Sequence, residues 1–136
     1  MRNKAEFRAL RETVGMSQQL LADMLDVEVR SVKRWEHPNG SEPPKDAWDV
    51  LDKARERQVW VVDAAVDKAH EIESDAGRSP NAVRITYWPN AAAYEDSHPD
   101  EGYSWMMANA NARMVALELG RLKFDVRFEY PEGQTD

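Results

Sequence analysis

The stretch Gln18-Gln19-Leu20-Leu21-Ala22-Asp23-Met24-Leu25-Asp26-Val27-Glu28-Val29-Arg30-Ser31-Val32-Lys33-Arg34-Trp35-Glu36 reads as two short helices crossing through a tight turn, the second of them basic. Leu21, Leu25, Val27, Val32 and Trp35 supply the apolar contacts, and Ala22 places a small side chain where the helices would cross. Arg30, Lys33 and Arg34 are left to face outward.

Upstream, Phe7, Leu10 and Val14 lie on one face of a helix expected from Lys4 to Val14. Asn3 is placed to cap it, with Glu6 three residues on as in a capping box, and Gly15 to end it. Ser17 then caps the next helix. The basic helix is expected to start near Glu28 or Val29 and to stop by His37-Pro38.

Downstream, Asn39-Gly40-Ser41-Glu42-Pro43-Pro44 is a turn-rich loop, and Pro44 suits the first position of a long helix. Trp48, Leu51, Arg55, Val59, Val62, Val66 and Ala69 recur at helical spacing. Val59-Trp60-Val61-Val62 is apolar all round, which points to burial from more than one side; a strand is the competing local reading. Residues 75–82 form a linker. Residues 83–88 alternate as a strand, Ala91 to Glu95 form a short helical turn, and residues 104–119 are helical, with Gly120 at the end. Phe124, Val126, Phe128 and Tyr130 alternate with charged residues as a half-buried strand.

The expected fold is mainly α with a small α/β C-terminal part. Residues 1–74 form the helical domain with its long fourth helix, and residues 75–136 a strand-helix-strand region. Two strands alone are marginal in water, so this region is expected to dimerise.

The chain has 136 residues, 32% of them charged and 42% hydrophobic, as in a soluble globular protein. No run approaches the ~18 apolar residues of a membrane span. The polar N-terminus predicts no signal peptide. The absence of cysteine excludes disulfides and thiol chemistry, and a cytoplasmic location is the expectation. The net charge is −7, but residues 1–58 hold 11 Lys+Arg against 11 Asp+Glu, so residues 59–136 carry all of it. Affinity for nucleic acid follows local positive potential rather than the total.

A crossed helix pair with a basic second member is what a protein needs to place one helix in the DNA major groove. An ordinary helical hairpin with a solvated basic face is the bland alternative. The pattern resembles the helix-turn-helix of phage repressors and their bacterial relatives, the xenobiotic-response-element type. Gln18 stands at the unit's first position, Ala22 at its fifth and Val32 at its fifteenth, and Trp35-Glu36 before Pro38-Asn39-Gly40 resembles the family's helix ending. The ninth position, usually glycine because the turn needs positive φ, is Asp26, which tolerates the left-handed region better than most residues. The whole chain resembles the small repressors encoded beside phage anti-CRISPR genes and their uncharacterised bacterial relatives. The C-terminal match rests on Ile85-Thr86-Tyr87-Trp88, on Tyr94 and on the Trp105 helix followed by a last strand.

That resemblance implies a homodimeric repressor that binds an inverted repeat, a palindromic operator in double-stranded DNA, before its own operon. Mapped residue by residue, it implies base contacts from Val29, Arg30 and Arg34, and phosphate contacts from Gln18, Ser31, Lys33, Asn39 and Ser41. Lys33 could also reach a base, and Glu28 could cap its helix or meet a cytosine. It implies a structural ion pair between Arg11 and Glu36, with Arg8 as the other candidate partner. Trp60, Trp88, Trp105 and Phe128 are dimer-interface candidates, with core packing the alternative for each tryptophan.

An enzyme is not expected. His37, His70 and His98 show no triad or ligand spacing, no phosphate or dinucleotide fingerprint is present, and no cofactor or metal is implied. A partner-protein module, such as an antitoxin with an acidic neutralising half, is the rival. RNA binding is a third reading.

Overall fold

The computed structural model describes residues 1–78 and 81–132. It is mainly helical, with one small two-stranded parallel sheet. The chain divides into two compact units, Met1–Arg57 and Gln58–Asp136. The division therefore falls inside the long fourth helix and not at residue 74. The physical reason is that Val61, Val62, Ala65, Val66 and Ala69, in the later part of that helix, belong to the core of the second unit.

In the first unit, α1 (Lys4–Val14), α2 (Gln18–Leu25), α3 (Val29–Glu36) and the start of α4 (Lys45–Ala76) surround one core. Phe7, Val14, Leu21, Ala22, Val32 and Leu51 are essentially sealed from solvent. Phe7 meets Trp48 and Trp35 edge-on, at 5.0 and 6.3 Å between ring centroids, an arrangement aromatic quadrupoles favour. Val27, expected among the apolar contacts, is exposed.

Helix ends follow local chemistry. The Asn3 side chain accepts from the Glu6 N–H and that of Ser17 from the Leu20 N–H, satisfying donors that lack helical partners. α1 and α2 end alike. Gly15 N–H donates to Glu12 and Met16 N–H to Arg11, then Asp26 N–H to Asp23 and Val27 N–H to Ala22. This paired closure puts its pivot residue in the left-handed region, with φ 76° at Gly15 and 54° at Asp26. Pro44 immediately precedes α4 and does not begin it; its carbonyl accepts the Ala47 and Trp48 N–H groups.

The second unit takes the rest of α4, β1 (Val83–Thr86), α5 (Ala91–Ser97), a short 3-10 turn (Gly102–Ser104), α6 (Trp105–Arg121) and β2 (Val126–Glu129). Residues 59–62 are helical, which settles the strand alternative. Two residues of the expected linker, 79 and 80, lie outside the described residues. The strands run parallel with Val83 opposite Val126 and Thr86 opposite Glu129. Parallel neighbours need a crossover, and α5 and α6 provide it.

Val83, Ile85 and Val126 turn inward onto Ala69, Val115, Leu119 and Phe124. Arg84, Thr86, Arg127 and Glu129 alternate outward and are exposed. α6 runs through Gly120 to Arg121, past the expected stop. The left-handed pivot is Lys123, at φ 74°, closed by Lys123 N–H to Gly120 and Phe124 N–H to Leu119. Phe124 is 7% exposed, and its burial holds the lysine in a conformation glycine would adopt at less cost.

Candidate nucleic-acid interface

α3 has two unlike sides because of its 3.6-residue period. Val32 and Trp35 point inward, at 0% and 8% exposure. Arg30, Lys33 and Arg34 are exposed on the other side, with Ser31 and Val29 half-buried at the flanks. Arg30 and Arg34 stand one turn apart and therefore one above the other. Lys33 and Arg34 also occupy the last turn, where cations complement the helix dipole.

Glu28 takes the cap position of α3, but its side chain makes no capping hydrogen bond. Its carboxylate pairs instead with Arg30, Nε to Oε2 at 3.0 Å, with both side chains more than 70% exposed. Such a pair is worth at most about 1 kcal/mol, so it does not hold Arg30 back from another anion. Gln19, Val27, Glu28, Val29 and Arg30 line a shallow open groove at the entry to α3.

The structure joins Arg11 to Glu36. Arg11 Nε lies 2.5 Å from Glu36 Oε2 and Nη2 lies 2.9 Å from Oε1, the two-pronged geometry that suits a guanidinium and a carboxylate. Arg11 Nη1 also donates to the Met16 carbonyl at 2.9 Å. Arg8 pairs with Glu12 on the surface. Gln18 has its side-chain nitrogen on Glu36 Oε1 at 3.1 Å. One N–H of its amide therefore serves this cluster.

Sequence reasoning missed Lys4. Its ammonium donates to the carbonyls of Arg34 at 3.2 Å, Trp35 at 3.0 Å and Ser41. It thereby adds a donor to the last carbonyls of α3, where helical donors run short, and ties the start of α1 to the end of α3 and the following loop. Only the short capping run before α1 hinted that this segment is ordered. Within the loop, Asn39 N–H donates to His37 Nδ1 at 3.1 Å and Gly40 N–H to the His37 carbonyl at 2.9 Å. The side chains of Asn39 and Ser41 remain exposed beside the end of α3.

Arg2 was also unforeseen. It grips Asp52 with two hydrogen bonds, at 2.6 and 3.1 Å, which raise its pKa above the ordinary value. Its guanidinium carbon lies 3.9 Å over the Trp48 ring.

The aromatic interface candidates separate in the second unit. Trp60 is 67% and Phe128 48% exposed. Trp88 and Trp105 are half-buried, and Trp88 packs edge-on against Tyr94 and His98, which stack on each other at 4.1 Å. Asn109, 3% exposed, spans the Trp88 backbone. It accepts from its N–H at 2.8 Å and donates to its carbonyl at 2.9 Å. Phe128 meets Tyr87 at 5.2 Å, and Arg113 donates to the Tyr87 hydroxyl at 2.6 Å.

Among the described residues no three metal-ligating side chains converge, and no helix is long and apolar enough to cross a membrane. No protein-family model matches the chain, and no curated protein matches it.

Proposed function

We propose that this protein is a sequence-specific DNA-binding regulator. It acts as a homodimer on an inverted repeat, represses its own operon, and inserts α3 into the major groove. The observation that carries this reading is the division of α3 itself. Val32 and Trp35 anchor it in the core, while Arg30, Lys33 and Arg34 stand exposed on the opposite side.

Arg30 and Arg34 are the base-reading residues, each able to meet guanine O6 and N7 with two hydrogen bonds worth about 1–3 kcal/mol of discrimination. Val29 touches a thymine methyl. Ser31, Lys33, Asn39 and Ser41 contact phosphates, which set the register of the protein on the duplex without reading sequence. The two recognition helices of a dimer would enter half-sites about 34 Å apart, or a multiple of that.

Fluorescence anisotropy on the DNA immediately upstream of the gene, beside scrambled DNA at physiological salt, tests the reading. Selective binding with two chains per site supports it. Equal weak binding to both DNAs overturns it and turns attention to a partner protein for the acidic second half, sought by co-purification.

A further inference from the structure

The two-stranded sheet has two outer edges, and they differ. Val83 and Tyr87 donate their N–H groups to the carbonyls of Asp125 and Glu129, both at 2.8 Å. Backbone groups alternate along a strand, so residues 83, 85 and 87 of one chain segment face residues 125, 127 and 129 of the other. The outward groups on the β1 side then include those of Trp88, and these are already occupied by the Asn109 side chain. The outward groups on the β2 side are those of Val126, Phe128 and Tyr130, and among the described residues no strand lies beyond them. A bare edge of this kind is a template for another strand.

We infer that β2 pairs antiparallel with β2 of a second copy, with Phe128 facing its own counterpart across the two-fold axis. Side chains directly opposite in an antiparallel pair share a face, so even-numbered residues oppose even and odd oppose odd. Two central registers are then available. Centring on Arg127 would set Arg127 against itself and Asp125 against Glu129, all like charges. Centring on Phe128 sets Arg127 against Glu129 of the second copy, twice over, on the solvated face.

The same register places Phe128 on Phe128 and Val126 on Tyr130 on the other face. It covers two aromatic side chains that stand 48% and 44% exposed in the single chain. The outward backbone groups of residues 126, 128 and 130 become the hydrogen-bonded pairs. Residues 127 and 129 become the close, non-hydrogen-bonded pairs in which side-chain charges interact best. Within each copy Glu129 already holds Arg84 at 3.1 Å and Arg127 holds Asp125 at 3.3 Å. The join therefore continues an alternating run of charge across a four-stranded sheet. Charge complementarity and register together select a second copy as the occupant.

The test is a complementary charge reversal in the full chain, followed by sedimentation velocity without DNA. Arg127→Glu alone, or Glu129→Arg alone, places two like-charged pairs in its own dimer. Each is expected to raise the dimer dissociation constant about tenfold. An equimolar mixture of the two variants restores opposite charges at both cross-copy pairs and is expected to associate more tightly than either variant alone, by about the tenfold that each had lost. Variants that dimerise like the parent, a mixture without rescue, or a monomeric parent would each overturn the pairing.

A second measurement needs no substitution. Amide exchange of the parent should show protection at Val126 and Phe128 that rises with protein concentration, while Arg127, bonded within the sheet, is protected throughout. Protection of Phe128 that is independent of concentration would overturn it. The pairing rests on the two-chain part of the proposed function; because both measurements omit DNA, their failure leaves the reading of α3 intact.

Discussion

Gly40 lies against the carbonyl of Arg34 so closely that a Cβ on it would stand 2.0 Å from that oxygen. The obstacle is backbone and not a movable side chain, so the loop after α3 can approach the helix end only as glycine. Gly40→Ala must push the loop away and disturb the Lys4 contacts to the same region. A loss of about 1–3 kcal/mol is expected, read as a lower midpoint in urea unfolding. An unchanged midpoint would mean that the loop has room to shift at little cost.

The Arg11–Glu36 pair sits with side chains only 11% and 5% exposed. Removing one partner strands the other charge out of water. Arg11→Met and Glu36→Gln are each expected to cost about 3–5 kcal/mol. The double variant should cost clearly less than their sum, because nothing charged is then left behind. A double-mutant cycle by chemical denaturation measures this, and strict additivity would show that the two groups do not act together.

Arg34 presents its side chain to solvent while only its carbonyl serves the fold. Arg34→Ala should therefore keep the parental circular dichroism and melting temperature but lose selective binding to the upstream DNA in anisotropy. Retained operator affinity would remove Arg34 from the reading surface.

Asp26 holds φ 54° and ψ 47°. A β-branched residue resists that region, so Asp26→Val is expected to lower stability by about 1–2 kcal/mol. Asp26→Gly should be neutral or slightly stabilising, since relief of strain is offset by the freer unfolded chain. Thermal melts of the two variants should thus move apart. Equal melting would show that the turn imposes no such demand.

Asn109→Ala leaves the half-buried Trp88 N–H and carbonyl without their side-chain partner. About 1–3 kcal/mol should be lost for each group that stays dry. The Trp88 amide should exchange much faster in the variant, and unchanged exchange there would show that water replaces the side chain.

What was legible in the sequence was mostly local. Asn3, Ser17 and Gly15 act on neighbours three or four positions away, so their roles show in the order of residues. The apolar spacing of Phe7, Val14, Val32 and Trp35 likewise reports the face that is buried. The end of α6 was misplaced because burial of Phe124, a tertiary effect, moves the left-handed pivot from the nearby glycine to Lys123. Glu28 reads from its position as a cap or a cytosine contact, but the exposed Arg30 two residues away takes its carboxylate. Lys4 reaches acceptors thirty or more positions distant, and no short-range pattern announces such a contact. The amide of Gln18 is turned to Glu36 for the same reason: the partner is brought there by the fold.

The parallel pairing of β1 with β2 also bears on the order of events during folding. Arg84 and Glu129 meet across 45 positions of chain, so the sheet cannot zip from a hairpin and must wait until its ends are brought together. Closing so long a loop loses entropy before any contact compensates, whereas α5 and α6 form from near neighbours on far shorter timescales. The sheet is therefore a late step, assembled on helices already in place. Weakening substitutions in β2 should chiefly accelerate unfolding and leave the refolding rate almost untouched.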